Sequence, residues 1–416
     1  MRKKGLIIPP ITEDTTLRNA TLWLNTIRYG ESGTVLQFQD DCEYRVLEII
    51  NNPIILKKVL GRYYKKYLFR YIPVDNRNLH ELIRESIIGI CLEKRLSSYN
   101  YLTSLTTPQI VKLIADKGHD IGLFISHVSP LLNSANFQPL IDLELLVRTN
   151  KNLSVIVFSE IDISAKKYHQ LADKCSFLFD NLFPYPMYGE KDSRQFIKHY
   201  TNEWQISLDG YLTDQIVETC GGYLWLIHQA IRNVRNDPSI TIQDVIGNGL
   251  MIKKIEVLWN KISEEQKEII RKTVYDSISN KDSLTEEYKY LKSVNIIKSR
   301  YNKTILGIPI LKLAIDKENK LDELKINDGK ILLGKKDITL SLSKKERSML
   351  QLLLSLKKKI VSRDLLAQQI WGNEWEEKYS DWAIDRLAYR LRKRLINLGI
   401  DESLFQTIKK KGFIFG

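Results

Sequence analysis

Two groups of basic side chains near the end of the chain could contact nucleic acid. One group follows a helical repeat between Asp381 and Leu398, and the other is the run Lys409-Lys410-Lys411. A guanidinium group can pair with two acceptors of one guanine base, whereas a lysine ammonium group acts on phosphate as a point charge. A helical projection separates the first group from an apolar stripe. The residues on or beside its polar face are Arg386, Tyr389, Arg390, Arg392, Lys393 and Arg394.

Three helices and a hairpin would position these side chains. Ser343 and Glu346 form a capping-box pattern that begins the first helix, and the next two begin after Ser362 and at Asp381. A helix in the major groove beside a basic hairpin is a DNA-binding arrangement. The other predicted elements are strands at 331–333 and 338–340, a helix end near Gly399 and a hairpin at 405–415.

Residues 329–416 resemble the DNA-binding domain of OmpR/PhoB-type response regulators. The matching segments are 342–346, 361–366, 370–372, 384–395 and 407–413. The resemblance implies a small N-terminal sheet, three helices and a wing that bind direct repeats. It also implies that Arg390 reads bases, that Lys409 reaches the minor groove and that Lys410 replaces a usual glycine. By the same resemblance, the residues near phosphates are Arg363, Tyr389 and Arg392. The complete predicted DNA-binding set is Arg363, Arg386, Tyr389, Arg390, Arg392, Lys393, Lys409, Lys410 and Lys411.

The positive charge is concentrated in the same region. The chain carries a net charge of +13, and the 92 residues from Lys325 to Gly416 contain 20 Lys and Arg against 11 Asp and Glu. The preceding residues contain 43 against 39. A basic module attached to a nearly neutral body favours a nucleic-acid partner. We therefore predict that Lys325–Gly416 folds and binds DNA by itself.

Composition excludes several other classes of protein. With 43% hydrophobic and 27% charged residues, the 416-residue chain is globular and long enough for two to four domains. No apolar run approaches the length of a membrane span. The cysteines are far apart and lack the spacing of a zinc site or a disulfide framework, which indicates reduced, cytosolic thiols. They are Cys42, Cys91, Cys175 and Cys220.

The first part of the chain predicts a parallel sheet covered by helices. Apolar strand patterns alternate with longer amphipathic ones, as in α/β folds. The predicted strands are 34–38, 67–74, 121–128 and 153–158, and the predicted helices are 46–60, 79–96, 107–117 and 137–147. Residues 192–235 are helical throughout. A helix begun by Ser263 and Gln266, a helix at 284–291 and strands at 296–299 and 304–308 form a winged-helix pattern.

This layout resembles STAND or archaeal-type AAA+ ATPases without their catalytic residues. A phosphate-binding loop reads GxxxxGK[ST], but residues 39–46 read QDDCEYRV, which lacks both glycines, has Val46 at the Ser/Thr position and contains three carboxylates. Arg45 keeps a positive charge at the lysine position. Ser126-His127 stands where the family carries Asp-Glu, so His127 is either a catalytic base or a strand-end histidine of a degenerate site. Gly221-Gly222 resembles the family's glycine pair, and we expect it to serve helix packing.

The sequence therefore predicts an α/β and α+β multidomain protein. Its parts are a degenerate P-loop NTPase-like parallel sheet (1–185), a helical lid (186–250), a winged helix (251–315), a linker (316–328) and a C-terminal OmpR/PhoB-type winged helix (329–416).

The predicted function is a cytoplasmic, bacterial, sequence-specific transcriptional regulator with a pseudo-ATPase module for sensing or oligomerisation. It binds double-stranded DNA, is not an enzyme, and needs no cofactor, metal or membrane. RNA polymerase and a second copy of the chain on DNA are further candidate partners. The alternatives are a nucleotide-hydrolysing STAND-type switch with unorthodox residues and a replication-initiator-like DNA-binding scaffold.

Overall fold

The chain divides into two compact units, Met1–Ile310 and Leu311–Gly416. The computed structural model describes residues 11–75, 78–133, 137–163, 165–275, 277–301, 303–327, 329–333, 336–398, 400, 402–409 and 411–416. Within these residues, every helix is too short or too polar to cross a membrane.

A five-stranded parallel sheet lies at the centre of the first unit. Its strands are β1 (Gly33–Gln37), β2 (Tyr67–Pro73), β3 (Asp120–Ser126), β4 (Leu153–Ser159) and β5 (Leu182–Tyr185). They lie in the order β2-β3-β4-β1-β5. The inner strands β3, β4 and β1 are buried on both faces, which explains their continuous apolar sequences. The predicted parallel sheet is confirmed, and β5 is an additional edge strand.

Ten α-helices in the described part of the chain accompany the sheet. They are α1 (Glu13–Arg28), α2 (Cys42–Ile50), α3 (Pro53–Leu60), α4 (Leu79–Glu93), α5 (Tyr99–Ser104), α6 (Thr107–Asp116), α7 (Ser129–Asn133), α8 (Gln138–Thr149), α9 (His169–Lys174) and α10 (Ser176–Phe179). The prediction of a single helix at 46–60 is wrong, because α2 ends at Ile50 and a separate helix, α3, begins at Pro53. Asn52 caps α3 by accepting from the amides of Ile54 and Ile55, and Pro53 occupies its first position.

A helical region follows the sheet, as predicted. It contains α11 (Glu190–Trp204), α12 (Gly210–Cys220), α13 (Leu224–Asn236) and α14 (Ile242–Gly247). Gly221 and Gly222 join α12 to α13, both with positive φ. A Cβ atom on Gly221 would lie 1.7 Å from the carbonyl oxygen of Gly307, and one on Gly222 would lie 2.0 Å from that of Tyr188. The glycine pair therefore permits two close backbone approaches.

The first unit ends in the predicted helix, helix and hairpin. The elements are α15 (Gly249–Lys261), α16 (Glu264–Val274), α17 (Glu286–Ser293), β6 (Ile297–Arg300) and β7 (Lys303–Leu306), and the two strands pair antiparallel. Ser263 and Gln266 form the expected capping box at the start of α16.

The second unit begins with regular structure where we expected a weakly structured linker at 316–328. Helix α18 covers Lys312–Glu323 and strand β8 covers Leu324–Asn327, so that expectation is wrong. Leu324 is buried, and β8 pairs with β9 (Lys330–Leu333). The strand predicted at 338–340 is also wrong, because β10 covers only Lys336–Asp337 and a 3₁₀ turn follows.

The rest of the second unit packs helices against these strands and against a C-terminal hairpin. The elements are α19 (Lys344–Ser355), α20 (Arg363–Trp371), α21 (Trp375–Lys378), α22 (Asp381–Asn397), β11 (Phe405–Ile408) and β12 (Gly412–Phe415). A hydrophobic cluster of buried residues includes side chains from Leu324 to Phe415. Both predicted capping residues, Ser343 and Ser362, accept backbone hydrogen bonds. Gly399, the expected helix end, lies outside the described residues.

Candidate nucleic-acid interface and strand-end site

Helix α22 presents a basic face to solvent. It begins at Ser380, whose hydroxyl accepts from the amide of Ala383 at 3.1 Å. Its apolar stripe is buried in the core and consists of Ile384, Leu387, Ala388, Leu391 and Leu395. Its exposed side carries Arg386, Tyr389, Arg390 and Lys393. The predicted separation of the two faces is confirmed.

Two cation–aromatic contacts line this exposed face. The Arg386 guanidinium lies 5.0 Å from the ring centre of Trp382, and Nζ of Lys393 lies 5.0 Å from that of Tyr389. Arg390 makes no hydrogen bond or ion pair with any residue that the structure describes. Its planar guanidinium group is therefore available for a ligand. Trp382 is 68% exposed. It was not predicted from the sequence as part of this face, although a tryptophan on the polar side of a helix is an unusual feature that could have indicated it.

Two of the predicted DNA-binding arginines have partners within the second unit. Arg392 donates from Nε to the carbonyl oxygen of Phe405 and from Nη2 to Oγ1 of Thr407. Arg363 donates to both carboxylate oxygens of Asp385 at 3.0 and 3.3 Å, and its side chain is only 17% exposed. These contacts position α22 against the hairpin and against the start of α20. Phosphate contacts by Arg363 and Arg392 stay predictions.

The hairpin of β11 and β12 is anchored by backbone contacts. Val361 and Phe413 exchange two hydrogen bonds, at 2.7 and 2.9 Å. Gly412 has φ +134°, and a Cβ atom there would lie 2.0 Å from the carbonyl oxygen of Val361, so no larger residue fits without a shift. Lys409 and Lys411 are exposed at the tip. Lys410 lies outside the described residues.

A hydrogen-bond network occupies the region where a phosphate-binding loop would lie. Arg45 is 1% exposed and donates to the Tyr188 hydroxyl at 2.9 Å and to Glu48 at 3.1 Å. Tyr188 donates to Asp41 at 2.5 Å, so Tyr185 must donate to Tyr188, at 2.6 Å. Burial raises the pKa of Asp41, against the opposing effect of Arg45. The positive charge of Arg45 is therefore used internally.

Three polar residues follow the carboxyl ends of adjacent strands. Asp40 follows β1, His127 follows β3 and Glu160 follows β4, and their ligand atoms all lie within 4.8 Å of one another. His127 has φ 58°, which turns the chain sharply out of β3. Burial, and then the neighbouring Asp40, raise the pKa of Glu160. The sequence signal for this cluster was the polar residue after each apolar strand, but only His127 was weighed individually.

The adjacent position at the end of β3 has no carboxylate. Ser126 stands there, and its hydroxyl lies 2.5 Å from that of Tyr71. Ser126 and His127 therefore stand at the two positions where the sequence resemblance predicts an acidic pair.

Comparison with known proteins identifies the second unit. Residues 336–415 match the family described as "Transcriptional regulatory protein, C terminal". The second unit contains an OmpR/PhoB-type DNA-binding domain. This OmpR/PhoB-type domain is similar to part of the response regulator protein GraR of Staphylococcus aureus (strain MRSA252), with 35% identity over 89 residues. That match covers 21% of this chain and 38% of GraR, so the chain spans well under half the length of that relative.

Two solved structures are also similar. The DNA-binding domain of RstA from Klebsiella pneumoniae, in complex with the RstA box, shares 26% identity with a TM-score of 0.19, covering 23% of this chain and 91% of that one. A Walker-type ATPase of Pyrococcus abyssi shares 12% identity with a TM-score of 0.50, covering 74% of this chain and 96% of that one. At this identity the second similarity establishes the fold alone. It confirms the ATPase-like architecture predicted for the N-terminal part.

Proposed function

We propose that this protein is a sequence-specific transcriptional regulator in which a non-hydrolysing, ATPase-like module accompanies an OmpR/PhoB-type DNA-binding domain. The observation that carries this proposal is the exposed face of α22, where Arg390 has no partner among the described residues. A free guanidinium group on a helix of this domain type suits bidentate base contacts in the major groove. Lys409 and Lys411 on the adjacent hairpin suit phosphate contacts.

Selection from a random DNA pool tests sequence-specific binding. The full-length chain should enrich one sequence family, and its affinity should exceed that for scrambled DNA by roughly 10³-fold or more at physiological salt. Lys330→Ala removes one exposed charge outside the predicted contact set and should leave this ratio unchanged. Enrichment of no common sequence would contradict the proposal.

The absence of nucleotide turnover is supported by the network around Arg45. Releasing Arg45 towards a phosphate would break its hydrogen bonds to Tyr188 and Glu48 and would take the neighbouring cation away from Asp41, which is costly. The carboxylates of Asp40 and Asp41 would also repel phosphate. We expect no measurable ATP hydrolysis and no micromolar ATP affinity by calorimetry with Mg²⁺.

A nucleotide-hydrolysing switch is the second candidate, because the first unit has the fold of a Walker-type ATPase. Turnover that is abolished by Arg45→Ala would favour this candidate, provided that circular dichroism shows the variant to be folded.

A replication-initiator-like scaffold is the third candidate. A genomic footprint with the full-length protein separates it from a regulator, because promoter-proximal sites support regulation whereas clustering at a replication origin supports initiation. A cytoplasmic location, RNA polymerase as a partner and a homo-oligomer on DNA belong to the same proposal. So does the division into a sheet domain (1–185), a helical lid (186–250) and two winged helices (251–315 and 329–416). Co-purification tests the complex with RNA polymerase. The length of the DNA footprint tests the homo-oligomer on DNA.

A further inference from the structure

The cluster of Asp40, His127 and Glu160 combines three metal-binding side chains from separate parts of the chain. Because β3, β4 and β1 are neighbours in the sheet, their carboxyl ends bring these residues to one edge. The donor set is one imidazole nitrogen and two carboxylate oxygens. All three lie within 4.8 Å of one another.

The distances within the cluster leave room for an ion. Nδ1 of His127 lies 3.9 Å from Oδ2 of Asp40, which is too long for a hydrogen bond. Three atoms that are mutually within 4.8 Å have a common point no more than roughly 2.8 Å from each, and Zn²⁺ binds nitrogen and oxygen at about 2.0–2.2 Å. Small side-chain rotations would therefore close the cluster around a metal ion.

The two carboxylates also need a counter-charge. Ligand atoms of Asp40 and Glu160 lie within 4.8 Å of each other, so two carboxylates at this distance repel, and a cation between them relieves that repulsion. The neighbouring Lys261 supplies one positive charge for two carboxylates. Nearby Asp41 and Ser126 are already bound to Tyr188 and Tyr71.

We propose that Asp40, His127 and Glu160 bind a divalent first-row transition-metal ion, in the absence of any nucleotide, at the carboxyl end of the sheet. The imidazole favours Zn²⁺ or Mn²⁺ over Mg²⁺, which prefers oxygen ligands and a nearly complete water shell. Water fills the remaining coordination positions. This site replaces the sequence-based expectation of no metal, and it is independent of the DNA-binding function proposed above.

Calorimetry and native mass spectrometry of the full-length, metal-stripped chain test the site, with Zn²⁺, Mn²⁺ and Mg²⁺ as probes. We expect one Zn²⁺ or Mn²⁺ ion per chain and much weaker binding of Mg²⁺. His127→Gly, which tolerates the positive φ, and Glu160→Gln should each lower the affinity by about 100-fold. His119→Gln and Glu43→Gln change a half-buried histidine and an exposed carboxylate outside the cluster and should have no effect.

Three outcomes would overturn the proposal. They are the absence of saturable binding, equal binding by the wild-type chain and both ligand variants, and binding of Mg²⁺ only together with ATP. Circular dichroism of the metal-free variants checks folding, and Asp40→Asn is the replacement if either variant is unfolded. DNA affinity measured on the same samples shows separately whether the proposed regulator function holds.

Discussion

The guanidinium group of Arg392 donates to the carbonyl oxygen of Phe405 at 3.0 Å and thereby joins α22 to the first strand of the hairpin. Arg390, two residues earlier, has no such partner among the described residues. Two arginines of one helix therefore differ in their roles, one positioning the hairpin and the other free for a ligand.

Replacing Arg392 should loosen the hairpin. Arg392→Ala removes two hydrogen bonds from a charged donor, and we expect the local unfolding free energy to fall by about 1–2 kcal/mol. Hydrogen exchange of the β11 and β12 amides in the full-length chain measures this change. Arg390→Ala is the matched control, and equal exchange rates in the two variants would show that Arg392 has no positioning role.

Replacing Arg390 should reduce specificity. Arg390→Ala should cost about 1–3 kcal/mol of binding free energy on the best DNA site and little on scrambled DNA. Competition binding with matched and scrambled sites gives the two values. An equal loss on both would assign Arg390 to phosphate and leave Arg386 or Tyr389 as the base reader.

We expect the hairpin lysines to contribute equally to the binding of DNA of any base sequence. Lys409→Gln and Lys411→Gln should weaken binding to all DNA about equally, because each removes one point charge. If each lysine neutralises a phosphate, each change should also lower the slope of log affinity against log salt by roughly 0.9. A titration between low and physiological salt measures the slope, and an unchanged slope would place the lysines away from the phosphates.

The second unit should fold and bind DNA as the isolated fragment 311–416, because its hydrophobic cluster lies within these residues. The fragment Lys325–Gly416, which the charge distribution suggested, omits Leu324. That residue is 1% exposed, so its loss should cost about 1.5–3 kcal/mol. Urea unfolding of two fragments, one beginning at residue 324 and the other at residue 325, measures the contribution of Leu324 to stability. Identical urea midpoints for the two fragments would contradict the placement of Leu324 in the core.

The four thiols should be unreactive in the native protein. All four are unpaired and buried, and burial raises the pKa of Cys91 to about 11 and that of Cys175 and Cys220 to about 12. Because the thiolate is the reactive form, fewer than roughly one Cys91 side chain in a thousand is reactive at pH 8. Ellman's reagent should detect almost no thiol before denaturation and four per chain afterwards. Rapid native reaction would indicate an exposed or activated cysteine.

The sequence predicted the inner strands well because their burial on both faces leaves continuous apolar runs. It missed β5, since a four-residue edge strand with Pro184 in it has no such run. It also missed β8, because one buried residue, Leu324, is a weak signal within a charged segment. Local sequence patterns thus predicted the strands and helices in which buried residues are continuous or recur at a regular spacing.

The candidate sites were predictable to different degrees. The basic face of α22 follows a helical period and was visible in the sequence. The partners of Arg392 and Arg363 lie 13 to 22 residues away, and Tyr188 lies 143 residues from Arg45, so no local pattern could indicate these contacts. Only the folded chain distinguishes the arginines that are available from those that are already bound.

One contact at the sheet edge has a consequence for how the first unit can respond to ligands. The amide of Leu224, at the start of α13, donates to Oε1 of Gln39 at 2.6 Å, so the helical region is attached directly to the loop after β1. A ligand shifts a conformational equilibrium only by its difference in affinity between the two states. Here the side chain of Gln39 itself holds the helical region against the sheet edge. A ligand that binds at this edge would move α13 only if its difference in affinity between the two positions exceeded the free energy of that hydrogen bond.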